Sequence, residues 1–445
     1  MKTILAIDIG SAKTAAVIAN YDKETTELSI SGVGIAHSKG IKRGTIVNID
    51  HAAKSIKQAF LDAKRIAGVD INKAIISVST SYTKSILSFG IVNIPGNEIK
   101  IKEVNRAIQL ALHNANIPKD YIVLQAIPFN FKVDDLSEIE DPLGMSGSRL
   151  EVSVHIVAIQ KSGLENIKKT IAQAGLKIEN LVSSPYASGL SVLKEDEKEL
   201  GVALIDIGAT TSDLGIFTNK SFRYTNTLGV GSHHITNDLS IALHTPVTDA
   251  ELIKLNFEKL VKNEEELIDI AVIGNEQEKQ KASLEAITQI ISARIEETFL
   301  LLRKEIEDSG LKNKIGTGIV LTGGFTNFYN IKEIASQFFE GLPVRVGFPR
   351  EIGGLFENLK MPQYSCVLGL ILYGIREGIN YEIDSNNKFI AKKLEHETKT
   401  TEIKFDEEII EEEKLKEKEE VAAIISKKEE TGMIQKFRTW LGNLF

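Results

Sequence analysis

Two short segments of this 445-residue chain carry residue types that could hold a phosphate and a hydrated cation. Asp8, Gly10, Ser11 and Lys13 follow one apolar run; Asp206, Gly208, Thr210, Thr211 and Asp213 follow another of the same make. In each, an acid ends the run, a glycine turns it, and small hydroxylated residues lead into a second apolar run. Glycine lets backbone approach a ligand closely, successive N–H groups make an anion-binding nest, and a strand-end carboxylate can hold Mg²⁺ through its waters. Asp8 and Asp206 are the candidates for that water-mediated role. A third apolar run, over 318–322, delivers Gly323 and Gly324, suited to letting an adenosine lie against bare backbone. Two phosphate turns of one kind predict a nucleotide clamped between two halves of the molecule.

The elements around these turns are short. Residues 4–8, 14–19 and 28–33 read as strands, 49–66 has helical spacing with Asp50 as its N-cap, and 74–78 is a further strand. From residue 201 the same strand-turn-strand unit begins again, and 284–306 is helical. Duplicated α/β halves predict a two-lobed molecule with a central cleft. Between the copies, residues 82–160 hold an apolar run at 86–92, a helix-like stretch at 104–114 and an alternating strand at 150–159. Such regularity reads as a small α+β insertion and not as a loop.

Composition narrows the class. Hydrophobic residues make up 42% and mean hydropathy is −0.05, which argues against an integral membrane protein. No run of about 18 apolar residues is present. Asp8 interrupts the apolar stretch after Met1 and Lys2 too early for a signal peptide. The single Cys366 excludes a disulfide framework and a four-cysteine zinc site, and a reducing cytosol fits best. Most of the net charge of −8 belongs to one stretch, since residues 406–420 carry nine acids and three lysines. The remainder is close to neutral, so nucleic-acid binding has no basic footprint.

Three glycine turns at strand ends, in this order and spacing, resemble the actin, Hsp70 and sugar-kinase superfamily. Over essentially its whole length the chain is similar to the FtsA family of bacterial cell-division proteins, through residues 35–47, 141–147, 174–177, 249–254 and 364–369 and the terminal apolar segment. The resemblance implies a two-lobed actin-like, RNase H-like duplicated α/β fold. Lobe 1 would span 1–81, with an inserted α+β subdomain at 82–160 and a return to lobe 1 with a linking helix at 161–200. Lobe 2 would span 201–384, its end returning to lobe 1, followed by a disordered acidic linker at 385–430 and an amphipathic helix at 431–445. It also implies ATP and Mg²⁺ as ligands, with Glu251 and Lys254 beside the base and ribose and Gly229 and Gly231 in a nucleotide-proximal loop. Arg294 matches the surface that receives the FtsZ peptide, and the insertion would face other division proteins. The implied role is to tether FtsZ filaments to the cytoplasmic face of the cell inner membrane at the division site, and to assemble with other copies into filaments.

Two departures bear on chemistry. Ala209 and Thr210 stand where the superfamily commonly has glycines, which restricts the second turn. Ser184 stands where bacterial actin and Hsp70 relatives carry a glutamate that helps orient the attacking water, and a serine cannot serve as a comparable base. ATP binding is therefore expected with weak or no turnover. A metabolic kinase of the same fold would need a sugar cleft with a carboxylate base, and no such base can be placed in the sequence. The type IV pilus assembly ATPase of this fold generally lacks the acidic linker and terminal helix. An Hsp70-type chaperone would need a β-rich domain after residue 385, where linker composition stands instead.

The C-terminus carries its own signal. Met433, Ile434, Phe437, Trp440, Leu441, Leu444 and Phe445 form one helical stripe, with Lys436 and Arg438 off it. Too short to span a bilayer, such a helix suits lying in the interface of an anionic membrane. Trp440→Glu puts a charge in the middle of the stripe and should release the protein from anionic liposomes in co-sedimentation. Lys436→Glu should weaken binding modestly and in a salt-dependent way. Unchanged sedimentation of Trp440→Glu would remove the membrane assignment.

Overall fold

The computed structural model describes residues 1–263, 266–354 and 359–391, with backbone alone at 275–277. The acidic linker expected to continue beyond 391, and the helix expected at 431–445 with its seven apolar residues, lie outside the described residues.

The first lobe is built on β1 (Lys2–Ile9), β2 (Lys13–Tyr21) and β3 (Leu28–His37), followed by α1 (Ile49–Ala67) and β4 (Lys73–Val78). The middle of β1 is buried on both faces, which is why it reads as a continuous apolar run and not as an alternating one. Asn48, not Asp50, caps α1: its side chain accepts from the His51 N–H at 2.9 Å. Asp50 sits in the first turn, where its charge complements the helix dipole, and it also accepts from Gln173. Gly68 closes the helix in the left-handed region at φ 65°.

The chain then leaves for the inserted domain, made of β5 (Thr83–Asn93), α2 (Ile101–Asn114), β6 (Tyr121–Val133) and β7 (Arg149–Gln160). It comes back through α3 (Lys161–Gln173), β8 (Lys177–Ser183) and α4 (Ser184–Val192). The lobe-1 sheet runs β8-β4-β1-β2-β3.

Lobe 2 repeats this plan with β9 (Val202–Ile207), β10 (Ser212–Thr218), β11 (Ser221–Leu228), β12 (Ile319–Thr322) and β13 (Val344–Val346). Its order is β11-β10-β9-β12-β13. In both sheets the central strand pairs antiparallel with the strand after the turn and parallel with a later one. The duplication seen in the turns is thus a duplication of whole sheets. Helices α5 (Ser232–Ala242), α6 (Val247–Leu255) and α7 (Leu284–Asp308) cover this lobe. No helix among the described residues is long and apolar enough to cross a membrane.

After lobe 2 the chain returns as α8 (Ser365–Gly374), every residue of which is buried. It then adds β14 (Tyr381–Ile383) and β15 (Phe389–Ala391) to the inserted sheet, whose order is β15-β14-β6-β7-β5, with the short strand Leu136–Ile139 beside β6. Residues 385–391, which composition places in the linker, therefore belong to a hairpin. Its anchor is buried: Gln125 and Tyr373 donate to Glu382 Oε1 at 2.8 and 2.9 Å, and Asn180 donates to Asp384 at 3.0 Å. Burial pushes Glu382 up to about 7.

The centre of the molecule is the contact of α4 with α8. A Cβ on Gly369 would lie 1.8 Å from the Ala187 carbonyl oxygen, so the two backbones touch with no room for a side chain. Gly369→Ala should cost about 1–3 kcal/mol in denaturant unfolding, because a backbone clash cannot be relieved by a rotamer. Gly163→Ala, with open space around it, should be neutral or stabilising and serves as the control.

Candidate functional site

The turns β1–β2 and β9–β10 face each other across a cleft of about 360 Å³. Asp8, Gly10, Ser11, Lys13, Asp206, Gly208, Thr211, Asp213, Glu251, Lys254, Gly323 and Gly324 all line it. The segments are far apart in sequence and meet because the two sheets present equivalent strand ends to the same gap.

Each acid is held by a hydroxyl. Ser77 donates to Asp8 Oδ1 at 2.8 Å and accepts the Ile9 N–H at 3.0 Å. Ser188 donates to Asp206 Oδ2 at 2.7 Å. Thr227 donates to Asp213 Oδ1 at 2.6 Å, and Ser79 reaches both oxygens of Asp213 at 2.7 and 2.9 Å. Burial raises Asp8 above the ordinary carboxylate range. Burial, with Asp213 nearby, pushes Asp206 up to about 7, and burial pushes Asp213 up to about 6.

Lys13 faces these acids. The Lys13 ammonium is buried, makes no hydrogen bond among the described residues, and sits 3.7 Å from the centroid of the Tyr364 ring. Burial lowers its pKa to about 8 against the pull of Asp8 and Asp206. An orphaned buried ammonium beside backbone turns is a donor set suited to an oxyanion. For a divalent cation the fit is indirect, because no three His, Cys, Asp or Glu side chains among the described residues converge closely enough to ligate one. Asp8 and Asp206 accept hydrogen bonds and are suited to the waters of a hydrated Mg²⁺.

The glycines differ in what they do. On Gly10 a Cβ would lie 2.7 Å from the Lys13 carbonyl oxygen, so the first turn requires glycine. Gly323, at φ 90°, would place a Cβ 2.3 Å from Asp206 Oδ1. Its role is to let the third turn press on the second. Gly324 meets only Gln363, at 3.7 Å, and is open to the cleft. Across from it, Lys254 donates to Glu251 at 2.8 Å and to Thr236 at 2.9 Å, and Thr236 donates to Glu251 at 2.5 Å. Burial opposes ionisation of Glu251, but those two donors outweigh it and hold its pKa below the ordinary value.

Four expected residues stand elsewhere. Gly229 does not line the cleft, and a Cβ on it would lie 3.3 Å from Arg43 Cδ. Thr210 does not line the cleft: its hydroxyl donates to Ser11 at 2.6 Å and accepts the Arg43 N–H at 3.1 Å, tying the two turns together. Gly231 caps α5 behind the second turn, 2.7 Å from the Ala209 carbonyl by its virtual Cβ, and does not line the cleft. Arg294 lies on α7 outside the cleft, paired with Asp238 at 2.5 and 3.0 Å and with Glu297. With Ala209 and Thr210 in place of glycines the second turn still closes, its Gly208 N–H donating to Thr211 O at 2.9 Å.

Other cleft residues were not singled out from the sequence. Phe257 and Phe328 stack with centroids 5.5 Å apart and make an apolar wall beside Gly324, with Tyr329 next to them. The aromatic residues following Gly323 and Gly324 were the available signal. Ser79 had none, because its role depends on pairing with Asp213 on the other lobe.

The architecture is that of an actin-like protein. The solved PilM–PilN type IV pilus biogenesis complex resembles it with TM-score 0.59 at 16% identity, covering 84% of this chain and 98% of that one. MreB5 of Spiroplasma citri bound to ADP does so with TM-score 0.50 at 14% identity, covering 85% and 98%. A family model described as cell division protein FtsA matches residues 203–369, and one described as an SHS2 domain inserted in FtsA matches 80–158. Cell division protein FtsA of Helicobacter pylori is 39% identical over 416 residues, 86% of this chain and 84% of the relative. That of Pseudomonas aeruginosa is 35% identical over 379 residues, 84% and 90%. The chain belongs to the FtsA family of cell-division proteins.

The raised acids set a pH dependence. Asp206 and Asp213 hold more protons in the folded protein than in the unfolded chain between the ordinary carboxylate value of 3.8 and the folded values of about 6 and 7, while buried His155, lowered to about 4, works in the opposite sense. The contribution of the two acids to stability should therefore fall as pH rises through that window. Asp206→Asn removes one such group and relieves Asp213, so its unfolding midpoint should be flatter in pH and higher than the parent's above pH 7. A parent-like slope in the variant would show that these acids ionise freely in the folded state.

Proposed function

We propose that the protein binds ATP between its two lobes and works in cell division as a membrane tether for FtsZ filaments. The observation that carries the nucleotide reading is the orphaned Lys13 ammonium facing two duplicated turns and the open Gly324. In this reading the N–H groups of both turns and Lys13 hold the phosphates. Asp8 and Asp206 accept from the waters of Mg²⁺, which would supply positive charge between the carboxylates and the phosphates. The base lies against Gly324 and the Phe257–Phe328 wall, with Glu251 and Lys254 near the ribose.

Turnover is slow in this proposal. Ser184, at the start of α4, lines the cleft where a carboxylate would be needed to orient water. Asp206 and Asp213 are engaged by hydroxyls, and a bound cation would hold them ionised. Lobe closure then acts as a switch in place of a catalytic cycle. The FtsZ peptide meets lobe 2 around Arg294, where it must compete with Asp238 and Glu297 for the guanidinium. The terminal stripe holds the membrane at the inner face of the division site, and filament formation multiplies weak anchors by avidity. Other division proteins meet the inserted domain.

Calorimetry with Mg-ATP tests the site. Gly324→Trp and Asp206→Ala should each weaken binding at least about tenfold. Unchanged affinity in both would remove this cleft as the nucleotide site. Phosphate release by the assembled protein should stay well below the roughly 1–10³ s⁻¹ of typical enzymes. Several turnovers per second, lost in Asp206→Ala, would show that another group supplies the base.

A further inference from the structure

The inserted domain grows out of lobe 1, yet its strands β5, β6 and β7 also touch β11 of lobe 2. We propose that the β10–β11 hairpin of lobe 2 is a lever that couples the cleft to the inserted domain, gripped by the Ser85–His155–Phe222 relay and the Arg223–Phe129 contact. The inference rests on the reading of the cleft as a nucleotide site.

One end of the hairpin is in the cleft. Asp213 on β10 pairs in register with Thr227 on β11, and Ser79, at the root of the inserted domain, donates to both Asp213 oxygens. The other end is on the inserted sheet. His155 on β7 is 1% exposed and, with its pKa lowered to about 4 by burial, is neutral. Its Nδ1–H donates to the Phe222 carbonyl on β11 at 3.0 Å, and its Nε2 accepts from Ser85 on β5 at 2.7 Å. The Ser85 oxygen in turn accepts the Thr225 N–H at 3.5 Å. Beyond this relay the Arg223 guanidinium lies 3.6 Å from the centroid of the Phe129 ring on β6. At the tip Lys220 pairs with Glu140 at 2.9 Å.

Physical consequences follow from burial. Sliding β11 along the inserted sheet would strand the His155 Nδ1–H and the Phe222 carbonyl, and break the Thr225 N–H bond to Ser85, without water to replace the lost bonds. The ribbon is short and paired along its length, roughly 20 Å from Asp213 to its tip. A displacement imposed at the cleft end is therefore delivered at the sheet, and by reciprocity a ligand on the inserted domain biases the cleft.

Hydrogen–deuterium exchange on the full chain tests this, with and without Mg-ATP. In the parent, ATP should slow exchange at least about fivefold in residues 83–93 and 149–160 as well as around the cleft. Arg223→Gln and Phe129→Ala alter half-buried contacts and spare the buried His155. Each should lose the response in the inserted strands while keeping it around Asp8 and Asp206, which also reports that the variant is folded. The double variant should lose no more than either single one, as expected for partners in one contact. If ATP binds and protects the cleft but leaves 83–93 and 149–160 unchanged in the parent, or the response persists in both variants, the lever is overturned and the nucleotide site stands. Absence of ATP binding by calorimetry would overturn both.

Discussion

Asp8, Asp206 and Asp213 converge in one cleft with the Lys13 ammonium facing them, and the arrangement of both lobes depends on keeping them apart yet near. Asp8, Asp206 and Asp213 come from strand ends whose positions are fixed by the β1–β2 and β9–β10 registers. None can move away without breaking a sheet. Hydroxyls from Ser77, Ser188, Ser79 and Thr227 offset part of the cost of desolvation, and the rest appears as raised pKa values at Asp206 and Asp213. Perturbed acids of this kind concentrate where ligands bind.

Much of this was legible in the sequence because the turns are local. Asp, Gly and a small hydroxylated residue in a row after an apolar run specify a strand end, a tight turn and a nest within six residues, and the cleft assembles those turns as expected. What the sequence hid was tertiary. Thr210 resembles its neighbours in the second turn, but its hydroxyl is spent on Ser11 and Arg43, so it ties the lobes together and does not line the cleft. Gly231 is needed for close packing on Ala209, a contact no spacing announces. Asp50 lost the cap of α1 to Asn48 because both are good caps two residues apart, and only the path of the preceding chain decides between them.

The hairpin at 381–391 shows the opposite failure. Residues 385–391 have the composition of a linker, yet they pair into a hairpin whose Glu382 and Asp384 are buried, Glu382 Oε1 accepting from Gln125 and Tyr373 and Asp384 accepting from Asn180. Two of the partners, Gln125 and Asn180, lie 257 and 204 residues away, beyond any window of sequence. The consequence for architecture is that the chain leaves its described part from the edge of the inserted sheet. Whatever follows residue 391 is attached there.

Joined to that edge, the inserted domain sits between three connections: the root at Ser79, the flank on β10–β11, and the strand that continues into the remaining chain. A domain held at one point could rotate freely and report nothing. Held at the root and on the flank, it has few rigid positions. In the proposed reading a nucleotide closes the cleft between the duplicated lobes, but duplication alone gives closure no direction outside the cleft. The contact of neutral His155 with Phe222 supplies that direction, because it joins the insertion to the same ribbon that carries Asp213. An actin-like core thereby acquires an output that its two sheets by themselves do not have.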